Sequence, residues 1–125
     1  MRRRLLFGLG LTAIATALMG ASCLSPTLPL PPPDVESITP SAEPGVWFVS
    51  GSCAPGALVT VLNDETGQGA VFEDREESGH WSVKLVAEEC DQAWASQERD
   101  GDSGSRANFT IEAFTLDGQD SSACQ

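Results

Sequence analysis

The residues able to do chemistry are few: four cysteines (Cys23, Cys53, Cys90 and Cys124), one histidine (His80), and a serine, Ser103, set in Gly101-Asp102-Ser103-Gly104. A serine nucleophile needs a histidine base that a third group orients. His80 stands only 23 residues before Ser103 and next to Trp81, an aromatic expected in the core, so the pair makes no triad. No cysteines have CxxC spacing, and a single histidine leaves a zinc set incomplete. Asp100 and Asp102 put oxygen ligands at alternate positions, which suits a hard cation, and they are weak candidates for a metal. Paired carboxylates do acid–base work only in a cleft that shifts their pKa values. The runs Glu73-Asp74-Arg75-Glu76-Glu77 and Glu88-Glu89 fall between apolar segments and read as solvated turns. No catalytic residue and no cofactor emerge, so the expectation is a protein that is not an enzyme.

The elements that carry these residues begin with a distinctive N-terminus. Met1-Arg2-Arg3-Arg4 is basic, and Leu5 to Met19 is apolar, broken only by Gly and Thr. That run is shorter than the roughly 20 residues a membrane-crossing helix needs, and no later stretch approaches its length. Gly20-Ala21-Ser22 are small, and Cys23 follows. The arrangement resembles a bacterial lipoprotein signal peptide, with Gly20 where that pattern favours Leu. The resemblance implies that residues 1–22 are removed and that Cys23 carries lipid. Each buried methylene of such an anchor contributes about 0.8 kcal/mol, so several acyl chains hold firmly. It further implies an oxidising compartment of the bacterial cell envelope, and Leu24 after the cysteine points to the outer membrane.

Removing residues 1–22 takes three of the seven basic residues and leaves 18 acidic ones against four, a balance of −14. Such a surface repels phosphate, which excludes nucleic acid as a partner, and it repels anionic headgroups. Seven of the eight prolines fall between Pro26 and Pro44. Residues 23–44 are therefore expected to be an extended linker, rising about 3.1 Å per residue and lifting a domain off the lipid.

Beyond the linker, apolar residues alternate with polar ones in short runs separated by turn residues. Val59 and Val61, then Trp81, Val83 and Leu85, then Phe109 and Ile111 mark the inward positions of three such runs and the expected core. Cys90-Asp91 and the isolated Trp94 make Glu88 to Arg99 read as strand rather than helix. Phe48, Leu58, Leu62, Val86 and Phe114 fall on the opposite phase and could form an apolar interaction patch. The pattern predicts an all-β, antiparallel sandwich over residues 45–116 with a polar tail at 117–125. Val49-Ser50-Gly51-Ser52-Cys53-Ala54-Pro55-Gly56-Ala57-Leu58-Val59-Thr60-Val61 and Ser78-Gly79-His80-Trp81-Ser82-Val83 resemble two runs of bacterial Ig-like domains. That resemblance implies a surface module used as a spacer or a binding face, with no catalytic residues. Asp64-Glu65-Thr66-Gly67 is similar to a turn of transthyretin-like regulatory domains, a related all-β alternative.

With Cys23 lipidated, three thiols remain, which gives one pair and one odd cysteine. In a sandwich of this kind the turns holding Cys53 and Cys90 are expected at the same end, so Cys53–Cys90 is the expected disulfide, closing a loop worth about 4 kcal/mol. Cys124 is then left over, free or coupled to a partner chain. Gly101-Asp102-Ser103-Gly104 resembles the nucleophile motif of trypsin-like proteases, but Ser105-Arg106 follows where that family has Gly-Pro. The Asp100–Gly104 stretch resembles part of a calcium loop that lacks the third oxygen residue and the terminal Glu. The function expected is a lipid-anchored, non-catalytic binding or spacer module of the envelope. The alternatives are a subunit of an envelope assembly, linked through Cys124, and a weak calcium-binding module.

Overall fold

Alternation becomes strand wherever the sequence has it. The structure, a computed structural model, describes residues 28–116 and Cys124. It is all-β there, without a helix, and every strand pairing is antiparallel. In chain order the strands are β1 (Asp34–Pro40), β2 (Val46–Ser52), β3 (Leu58–Asn63), β4 (Gly69–Glu73), β5 (His80–Val86), β6 (Gln92–Arg99), β7 (Asp102–Ser103), β8 (Ala107–Thr110) and β9 (Phe114–Thr115). One layer has the order β5-β2-β1-β9. The other runs β4-β3-β6, and β7 and β8 share the far edge of β6.

The inward phase of each strand supplies the core. β5 buries Trp81, Val83 and Leu85 while His80, Ser82, Lys84 and Val86 face out. β3 buries Val59, Val61 and Asn63, and β6 buries Ala93, Ala95 and Gln97. Ile38, Val49, Ala87 and Ile111 complete the cluster, and Phe109 packs against it half-buried. Each fully buried aliphatic side chain contributes about 1.5–3 kcal/mol relative to exposure.

Trp81 sits directly across from Gly51 in the β2–β5 ladder. Its indole N–H is shared between the carbonyls of Ser52, at 3.0 Å, and Asp34, at 3.2 Å. A Cβ on Gly51 would lie 1.7 Å from the Asp34 oxygen and 3.1 Å from the indole nitrogen. Gly51 is therefore an interior strand position that must stay empty; β2 continues through Ser52. The ladder between β1 and β2 shifts register between Val35 and Ser37 at this place, a bulge that bends the start of β1.

One boundary differs from the sequence expectation. The linker does not extend to residue 44, because β1 lies inside it and pairs with both β2 and β9. Prolines are excluded from strand interiors, yet Pro33 precedes β1 and Pro40 ends it, so the residues between them are free to form a ladder. Residues ahead of β1 are also attached: Pro33 is buried, and the Gln97 side chain donates to the Pro31 carbonyl at 2.6 Å. Residues 1–22, Cys23 and the tail apart from Cys124 lie outside the described residues.

Replacing Trp81 with Phe puts a smaller ring in the core and removes the donor from two part-buried carbonyls, which is expected to cost about 1–3 kcal/mol of unfolding free energy. Gly51→Ala should be worse, because backbone has to move to admit the methyl group. Urea unfolding of both variants checks this; a Gly51→Ala protein as stable as the parent contradicts the packing.

Candidate binding groove between the layers

The two layers are joined differently at their two sides. On one side β4 and β5 lie in contact, linked by the turn at residues 74–79. On the other side the chain leaves β8, turns a corner at residues 111–113 and enters β9, which pairs β1 at Ser37 and Ile38 alone. Between β8 and β1 this leaves a groove of about 260 Å³. Val35, Ile38, Phe109 and Phe114 give it apolar walls, and Asn108 and Thr110 add polar groups. Glu112, on the corner, also lines it, and its Oε2 is buried with no hydrogen-bond partner among the described residues. A buried carboxylate oxygen left unpaired costs free energy until a donor or a cation meets it.

The corner is held by a disulfide other than the expected Cys53–Cys90 pair. Cys90 is bonded to Cys124, with their Cα atoms 5.2 Å apart, and Cys53 is free. The expected Cys53–Cys90 pair fails because β2 and β5 are antiparallel neighbours. Ser52 pairs with His80 and the Cys53 amide donates to the Gly79 carbonyl, so Cys53 lies at the start of β5. Cys90 follows the far end of β5, past the pairing of Val46 with Val86. The Cys90 amide donates to the Ile111 carbonyl at 2.7 Å, and the Ile111 amide donates to the Asp91 carbonyl at 2.8 Å. The disulfide thus pins the residue before Glu112. Cys90 itself has φ +75°, a left-handed conformation a non-glycine residue adopts only when held.

At the opposite end, a carboxylate taken for a solvated one is structural. Asp74 is 2 % exposed and accepts hydrogen bonds from the amides of Gly56, Ser78 and Gly79 and from the Ser78 hydroxyl. Burial pushes its pKa up, but the bonds from Gly79, Ser78 and Gly56 outweigh this and hold it at about 2, below the ordinary 3.8. A sequence signal existed: Asp74 stands four residues before Ser78 and five before Gly79, an arrangement that can fold onto its own backbone. The thiol of Cys53 lies beside this carboxylate, and burial together with the Asp74 charge pushes its pKa up, which makes it a poor nucleophile.

The remaining sequence candidates fall in two places. His80 is exposed on β5, and Ser103 is exposed on β7 in the other layer. Asp100, with φ +52°, and Asp102 sit at the β6–β7 turn, where Asp102 pairs with Arg99. Among the described residues no three His, Cys, Asp or Glu side chains gather to hold a metal ion. Of the apolar positions on the outward phase, Phe48, Leu58 and Val86 are exposed, Leu62 is half-buried, and Phe114 turns to the groove. Trp94 faces out of β6 beneath the Arg106 guanidinium, 4.0 Å from its ring. No family model, curated protein or solved structure matches this chain.

Reduction, or Cys124→Ser, should remove about 4 kcal/mol of stability for a disulfide of sequence separation 34, while Cys53→Ser should cost well under half of that. Non-reducing peptide mapping with parallel denaturation checks both; a Cys53–Cys90 peptide contradicts the assignment. Because Asp74 has a depressed pKa, its contribution is complete above its unfolded value and disappears as pH falls through the folded one. The stability difference between the parent and Asp74→Asn is therefore expected to be constant above about pH 4 and to shrink between about pH 4 and 2. A difference that does not change with pH would show that this carboxylate is not the one being held.

Proposed function

We propose that the chain is a lipid-anchored, non-catalytic binding module of the bacterial envelope, with an Ig-like β-sandwich and with the groove between β1 and β8 as its binding face. The observation that carries the binding role is the buried, unpartnered Oε2 of Glu112 beside a groove lined by Val35, Ile38, Phe109 and Phe114 together with Asn108 and Thr110. A spacer gains nothing from an orphaned carboxylate, whereas a binding face uses one to fix a partner's orientation. The basic, apolar and small-residue order ending at Cys23 supports a lipid anchor. The Cys90–Cys124 disulfide supports an oxidising compartment. His80 on β5 and Ser103 on β7 lie in different layers, which gives no support to a serine–histidine pair.

The reading has two testable parts. Mass spectrometry of the mature N-terminus is expected to show a peptide beginning at lipid-modified Cys23, and an unmodified Cys23 removes the anchor. A photo-crosslinker introduced at Thr110 in the full chain in native membranes is expected to yield a discrete adduct that the same group at Ser82 does not. No adduct from Thr110 favours a spacer.

A further inference from the structure

We infer that the groove takes an extended peptide segment carrying a lysine or arginine among apolar residues, added as a strand along the free edge of β8; this rests on reading the groove as the binding face. β8 pairs with β6 along one edge, and among the described residues its other edge has no strand partner. Exposed edges are ordinarily blunted by Pro, by charged side chains or by bulges. Ala107-Asn108-Phe109-Thr110 has none of these, whereas β5, an edge of the other layer, carries Lys84. Such an edge supplies main-chain hydrogen bonds to any extended chain, and specificity then comes from the pockets that receive alternate side chains.

Those pockets define the occupant. Phe109, Phe114, Val35 and Ile38 suit apolar side chains, and the buried Glu112 oxygen calls for a cation. Among the described residues the four lysine and arginine side chains are engaged elsewhere. Arg75 is bonded to Glu73, Lys84 lies over Phe48, Arg99 reaches the Pro55 carbonyl and Arg106 covers Trp94. The excess of 18 acidic over seven basic residues attracts the same class of partner over distance. A second copy is disfavoured by that charge, since it would bring another carboxylate. Residues 117–123, Asp-Gly-Gln-Asp-Ser-Ser-Ala, hold two acids, no base and no large apolar side chain.

The test uses the full chain in detergent and three nine-residue peptides of alternating valine and threonine, with lysine, leucine or glutamate at the centre. Calorimetry is expected to rank lysine over glutamate by about tenfold or more in affinity, with leucine between them. In Glu112→Gln the preference for lysine should fall to within about twofold, with residual binding retained through the β8 edge. Amide resonances of β8 should shift with the lysine peptide. The ranking on the unsubstituted chain stands even if that variant folds poorly. Equal affinities, a lysine preference that survives Glu112→Gln, or no binding of any peptide overturns the inference. A Thr110 crosslink to a partner together with no lysine preference keeps the binding module and removes the cation. A crosslink to a second copy or to residues 117–123 of the same chain replaces the proposed occupant.

Discussion

The indole of Trp81 lies across from Gly51, and its N–H is shared between the carbonyls of Asp34 and Ser52. Three segments meet at that donor: the start of β1, the end of β2 and the middle-facing side of β5. The arrangement requires a glycine, because any Cβ at residue 51 would collide with the Asp34 carbonyl. It also explains why the proline-rich approach to β1 is fastened rather than loose. Asp34 is held by the indole, Pro33 is buried, and Gln97 bonds the Pro31 carbonyl from the opposite layer. β1 in turn forms one wall of the groove, so the wall's position depends on Trp81.

The two ends of the molecule are stabilised by different chemistry. At one end Asp74 gathers the amides of three turn residues, and Gln97 accepts from the Ala54 amide while donating to Pro31. At the other end the Cys90–Cys124 bond and the Ile111 hydrogen bonds fix the corner that carries Glu112. A domain of this size buries too little surface for packing alone to be ample, and local ties of this sort carry a larger share of stability. Between these ends, the layers are joined by β4 and β5 on one side and left parted at β8 and β1 on the other. The groove follows from that asymmetry: β9 is two residues long and covers only part of β1.

Strands with strict alternation were legible in sequence. Val59 and Val61, and Trp81, Val83 and Leu85, have the period that a half-buried strand demands, and they lie inside as that period requires. β1 was not legible, because composition over the whole proline-rich stretch outweighed the short proline-free run between Pro33 and Pro40. The disulfide was missed because placing two turns at one end requires knowing which strands are neighbours, and the β2–β5 pairing is a long-range fact. Asp74 looked like one member of a charge run; only folding of the 74–79 turn brings the amides onto it. The groove was invisible for the same reason, although Phe109 and Phe114, two of its residues, were singled out for their phase.

The Trp81 indole is locked by two carbonyls at the edge of the core. Hydrogen exchange of the indole N–H, followed by NMR in deuterated buffer, reads that directly against Trp47 and Trp94. The Trp81 signal is expected to persist longest, exchanging only through global unfolding. A Trp81 indole that exchanges as fast as the other two would contradict the account.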